Sequence, residues 1–120
     1  MDSQSVIRKK SYAFAVRIVK LAKYLTSEKE YVLSKQVLRS GTAIGAMVRE
    51  SEYAESTADF IHKLRIARKE ANETHYWLSL LKDTEIITPK MFESIIGESE
   101  ELLKILTASI KTSTEKQAKN

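Results

Sequence analysis

Residues 59–81 read DFIHKLRIARKEANETHYWLSLL. From Phe60, the apolar or small positions Leu64, Ala67, Ala71, Thr74, Leu78 and Leu81 follow at alternating steps of four and three, the repeat that keeps one side of an α-helix turned toward a neighbour. Ser56 followed by Asp59 marks the start, because a serine oxygen can accept from an otherwise unpaired first-turn amide and an acidic residue suits the positive end of the helix dipole. The pattern predicts a helix over about 57–82. A helix with an apolar seam this long is stable only against partners, and the flanking sequence supplies them.

Upstream, Ser27 and Glu30 have the spacing of a capping box and predict a second helix over about 30–54. Projected at about 100° per residue, its Met47, Ser40, Leu33, Ile44, Val37, Val48, Gly41, Ser34, Gly45 and Leu38 occupy one broad arc. The first segment places Ile7, Phe14, Ile18, Leu21 and Leu25 on one face and predicts a helix over about 5–27. Downstream, 83–88 has no period, and Thr88 with Pro89 reads as a cap followed by proline at the first helical position. Phe92, Ile95, Ser99, Leu102, Leu106 and Ile110 then predict a fourth helix over about 89–113, followed by a polar tail over 112–120. The expected fold is all-α: one domain, 1–120, built as an antiparallel up-down-up-down four-helix bundle whose topology is forced by short connections.

Composition narrows the chemistry. The chain has 120 residues and no cysteine, which excludes disulfides, thiolate metal sites and thiol catalysis. No apolar run approaches the roughly 20 residues of a membrane span, and MDSQSVIRKK lacks the apolar stretch of a signal peptide, so a cytoplasmic protein without membrane contact is expected. Two metals in a bundle would need a Glu-x-x-His pair on each of two helices. The nearest approach is Asp59 with His62, occurring once, and His75 lies alone near the seam of the third helix; no metal, cofactor or catalytic group is expected.

Two helices have more apolar surface than one seam needs. The third carries a second stripe, Ile66, Glu70, Glu73, Trp77 and Leu80, beside the broad arc of the second. Such surface points to association with copies of the same chain through Leu38, Gly41, Gly45, Val48, Ile66 and Trp77; a helix flanked by two neighbours of its own bundle is the alternative. Each interior glycine costs about 1 kcal/mol relative to alanine, so Gly41 and Gly45 need a close-packed partner helix or else mark a kink. Glu70 and Glu73 interrupt the second stripe and should be partly desolvated, with Arg39 as the planar partner that completes a structural polar network.

The charge is uneven. Residues 1–29 hold seven basic residues against Asp2 and Glu28, and the other 91 hold thirteen against fourteen acidic ones. Lys9, Lys10, Arg17, Lys20 and Lys23 share an arc opposite Phe14 and Leu21, with Tyr24 among them. Such a stripe can neutralise phosphates of RNA or DNA, or simply keep a bundle soluble.

The segment QVLRSGTAIGAMVRES, Gln36 to Ser51, together with Asp59 to Leu81, resembles the 23S rRNA intervening-sequence proteins, and the likeness runs from about Ile7 to Leu106. Its carriers are the Arg-Ser pair, the IGA triplet and the Glu-x-x-Glu-x-x-x-Trp-Leu pattern. Ala43, Met47 and Ser51 depart from the family's usual serine, asparagine and glycine or alanine. The resemblance implies a bacterial, non-enzymatic bundle assembled as a symmetric ring, commonly a pentamer. A similar fold serves diversity-generating retroelements, where a basic ring contacts nucleic acid and a reverse transcriptase; shared fold does not by itself carry function. The expected activity is therefore RNA or DNA binding through the first helix, and the alternative is a structural or adaptor role toward a protein partner.

Overall fold

The computed structural model describes residues 3–119, and over them the chain forms four α-helices and no strand: α1 (Ser3–Ser27), α2 (Tyr31–Ser51), α3 (Thr57–Asp83) and α4 (Pro89–Lys119). α2 packs on α1 and α3, and α4 packs on α3 and α1, so the four enclose one core as a bundle. The helices run lengthwise in a rod of 52 × 23 × 22 Å. Gln4 near the start of α1 donates to Ser51 at the end of α2 (3.3 Å), whereas Thr26 and Ser34 meet at 3.0 Å where α1 gives way to α2. Among the described residues no helix is long and apolar enough to cross a membrane.

The seams read from the sequence are the core. Ile7, Phe14, Ile18 and Leu25 of α1, Val37, Ile44 and Val48 of α2, Leu64, Ala67, Ala71, Leu78 and Leu81 of α3, and Ile95, Leu102, Leu106 and Ile110 of α4 are all buried. Full burial of one such Leu or Ile stabilises the fold by roughly 1.5–3 kcal/mol. A polar pair lies inside this layer: Thr74 donates to Ser40 at 2.9 Å, so neither hydroxyl is left unmatched. The α3 seam begins one residue later than the repeat suggests, since Ile61 is buried and Phe60 only half-buried.

The helix starts are partly as expected. Ser56 Oγ accepts from the Asp59 amide at 3.0 Å, and Asp59 in turn accepts from the Glu55 amide at 3.2 Å. Thr88 Oγ1 caps α4 by accepting from Met91 at 3.1 Å. The capping box at Ser27 and Glu30 does not form: the Ser27 hydroxyl donates back to Tyr24 O at 2.6 Å, and Glu30 gives α2 no side-chain cap. Instead α1 ends in a left-handed residue, Lys29 at φ 65, which lets the Glu30 amide reach Leu25 O at 2.8 Å and the Lys29 amide reach Thr26 O at 2.9 Å. Glu85 at φ 62 ends α3 the same way.

Two boundaries differ. α2 stops at Ser51 rather than 54. α4 runs to Lys119, so the polar stretch from Thr112 to Lys119 is helical; it contains neither glycine nor proline, and Lys116 and Lys119 sit favourably at the negative end of the dipole. Asn120 lies outside the described residues.

Candidate nucleic-acid interface

The five basic residues singled out on the first helix do not form one uniform stripe. Lys10 is 3.0 Å from Glu101 of α4, and Arg17 lies 3.1 Å from Glu98 while donating to Ser94 O at 2.7 Å and Ser94 Oγ at 2.6 Å. Arg8, on the other edge, pairs with Glu52 at 3.4 Å. Lys9, Lys20 and Lys23 remain exposed with no ion pair among the described residues. Fourteen residues of helix separate the first from the last of these, about 21 Å at 1.5 Å per residue. The free positive charge of α1 is therefore a row of three lysines on its outermost line, with Tyr24 half-exposed beside Lys20. The sequence marked the five cations but could not show that acidic residues of the fourth helix, in the run ESEE at 98–101, reach two of them.

The apolar candidates divide as well. Gly41 and Val48 are buried inside the chain's own core and leave no surface for another subunit, and Gly45 is half-buried against α1. A methyl group on Gly41 would lie 2.7 Å from two carbons of Ile18, and one on Gly45 would lie 3.3 Å from the Ser11 carbonyl oxygen. The close approach inferred from the two glycines is real, but the helix that makes it is α1 of the same chain. Leu38 is exposed and borders a depression between α1 and α2. Ile66 and Trp77 on α3 are half-buried, and Trp77 packs on the core.

An exposed apolar surface lies between α1 and α2, where Tyr12 is 62% exposed, Val19 38% and Leu38 36%. Two shallow depressions follow this groove, one of about 290 Å³ between Val19 and Leu38 and one of about 240 Å³ between Tyr12 and Ala46. Arg49 caps the second by lying 5.9 Å from the centre of the Tyr12 ring. Nothing in the spacing of the first helix alone marked Tyr12, because its meaning depends on the α2 residues across from it.

On the opposite side Arg39 forks between two carboxylates, 2.9 Å from Glu70 and 2.6 Å from Glu73, and Trp77 Nε1 donates to Glu73 at 3.2 Å. The guanidinium, chiefly through its hydrogen bond, holds the Glu73 carboxyl below the usual carboxylate range against the opposing effect of burial, with Trp77 assisting. The Arg39 guanidinium is correspondingly held above its ordinary value, first by Glu73 and then by Glu70. Because Arg39 is half-exposed, solvent limits each pair to about 0.2–1 kcal/mol. The arrangement clamps α2 to α3, and it contains no nucleophile. His75 lies 3.6 Å from Glu100, linking α3 to α4, while His62 is exposed. Among the described residues no three His, Asp or Glu side chains are grouped to hold a metal ion.

A family model described as 23S rRNA-intervening sequence protein matches residues 3–108. A solved structure from Bacteroides thetaiotaomicron, a protein of unknown function from the S23 ribosomal protein family, is similar over 92% of this chain and 99% of its own, at 56% identity and a TM-score of 0.89. Among curated proteins none matches.

Proposed function

Because the chain belongs to the 23S rRNA-intervening sequence protein family, we propose that it is a non-enzymatic antiparallel up-down-up-down bundle that assembles with its own copies and binds RNA or DNA through the basic face of α1. The observation that carries this reading is the inequality among the α1 cations. Three of them, Arg8, Lys10 and Arg17, are neutralised by Glu52 just past α2 and by Glu101 and Glu98 of α4, yet Lys9, Lys20 and Lys23 stand in a row with no such partner among the described residues. A surface serving solubility alone gains from mixed signs, whereas a row of one sign concentrates potential toward a polyanion.

Assembly follows from the apolar groove beside that row. Tyr12, Val19 and Leu38 offer a second copy an apolar strip, and rotational symmetry repeats the lysine row around a closed ring, for which the family resemblance implies five copies. Subunits held this way place several lysine rows within reach of one nucleic-acid strand, which multiplies a weak contact into a usable affinity.

The test is fluorescence anisotropy with labelled RNA at two salt concentrations. Three phosphate contacts on a single strand give a slope of about −2 in log K against log salt, so raising salt from 50 to 200 mM should weaken binding about 20-fold for each subunit engaged. Lys20→Glu with Lys23→Glu should abolish it, and Lys10→Glu should have much less effect. Absence of binding at low salt would reject the reading in favour of a structural or adaptor role toward a protein partner.

A further inference from the structure

Next to the lysine row, α1 and α4 part to leave a cleft of about 320 Å³ lined by Arg17, Lys20, Leu21 and Tyr24 of α1, Ile87 of the connection, and Met91, Ser94 and Ile95 of α4. Its floor is apolar: Ile87 and Ile95 are buried, and Leu21 and Met91 are half-buried against the core. The α1 residues stand at steps of three, one and three, so they share one side of that helix across two turns. Two flat groups border the apolar floor. Arg17 is held in place by Ser94 and Glu98, and Tyr24, 38% exposed, presents its ring to the opening. Lys20 lies at the mouth, and Lys23, three residues further along α1, borders the neighbouring depression toward α2.

We infer that this cleft takes one unpaired base of a single-stranded nucleic acid, stacked against Tyr24, while Lys20 and Lys23 hold the phosphates outside it. The inference rests on the nucleic-acid reading above and narrows its ligand to single strands. Ligand pockets span about 300–1,000 Å³, and a volume at the bottom of that range suits a single planar ring system. Base stacking on aromatic or guanidinium planes beside a cationic groove is the way single strands are held without sequence preference. The charge matches, because the free ammonium groups lie outside the apolar floor, where a backbone would run, and not within it. A duplex keeps its bases stacked on one another and offers none to the cleft.

The full chain is tested with three labelled probes of equal length: single-stranded RNA, duplex RNA, and a single strand whose central residues are abasic. Single-stranded RNA should bind more tightly than either of the others. Tyr24→Ala should weaken binding of the single strand about fivefold to 150-fold, the range measured for loss of one stacked base, while leaving the abasic strand and the salt slope unchanged. Tyr24→Phe should bind like the parent, since stacking needs the ring and not the hydroxyl. Photocrosslinking of iodouridine-substituted RNA to the parent protein gives a readout that needs no variant, and it should map to Tyr24 or Met91. Equal binding of abasic and base-containing strands, or crosslinks confined to Tyr12, would overturn the inference while leaving the basic face of α1 as a phosphate-binding surface. Loss of all binding to every probe at low salt would overturn the nucleic-acid reading itself.

Discussion

Replacing Gly41 with alanine separates two explanations of why α2 carries glycines. A methyl group there would lie 2.7 Å from Ile18 Cγ1 and Cγ2 and 3.1 Å from Cδ1. The first two carbons are fixed directly to the branched Cβ, and Ile18 is fully buried, so the side chain cannot swing aside. Overpacking of this kind costs about 1–3 kcal/mol. Alanine's better helix propensity returns about 1 kcal/mol, which leaves a net loss of about 1 kcal/mol. Gly97→Ala is the internal control: nothing lies within 4 Å of its added methyl, so the propensity gain of about 1 kcal/mol should appear undiminished. Urea unfolding followed by circular dichroism, with a slope of about 2 kcal/mol/M, should move the midpoint down by about 0.5 M for Gly41→Ala and up by a similar amount for Gly97→Ala. The loss at Gly41 should be the same at two protein concentrations, because the crowded contact lies within one chain. Stabilisation of Gly41→Ala to the level of Gly97→Ala would mean that Ile18 does not crowd the added methyl, and a loss that shrinks on dilution would place the contact between subunits instead.

Further outcomes follow from individual groups. Ser99 is fully buried in α4 with no partner for its hydroxyl, so Ser99→Ala should stabilise the fold by about 1 kcal/mol in the same unfolding assay, whereas destabilisation would mean that the hydroxyl is satisfied. Lys29→Gly and Glu85→Gly each relieve a left-handed backbone and should each gain about 1 kcal/mol, read as a raised urea midpoint. Glu73 has a depressed folded-state pKa, so its contribution is present above the ordinary carboxylate pKa and is lost as pH falls through the folded value; unfolding midpoints between about pH 6 and about pH 3 should drop less steeply in Arg39→Met than in the parent. Identical pH slopes for the two proteins would show that Arg39 does not set the Glu73 carboxyl.

The fold was largely legible because helix seams are local patterns. The repeat from Leu64 to Leu81 needs only 3.6-residue geometry to be read, and every member is buried. What the pattern could not carry depends on residues distant in sequence. Lys10 and Arg17 share an arc with Lys9 and Lys20, but only the packing of α4 on α1 brings Glu101 and Glu98 to the first two. Gly41 and Gly45 announced a close helix contact, which the sequence reading assigned to another copy of the chain, whereas the neighbours that crowd them are Ile18 and Ser11 of α1 in the same chain. The end of α1 was misread for a different reason: Lys29 takes a left-handed turn with no glycine to mark it, so Ser27 and Glu30 look like a cap while the chain closes through backbone bonds. The α1–α4 cleft was invisible for the same reason as the ion pairs, since Tyr24 and Met91 lie 67 positions apart.

The proposed role of α1 turns on three lysines left free for a polyanion. Reagent acetylation of surface lysines, quantified residue by residue by mass spectrometry with and without excess single-stranded RNA, tests this without altering the protein. Lys9, Lys20 and Lys23 should be protected, while Lys35, Lys69 and Lys111, which are also exposed but lie on other helices, should react as before. Protection spread evenly over all six, or confined to Lys35, Lys69 and Lys111, would contradict it.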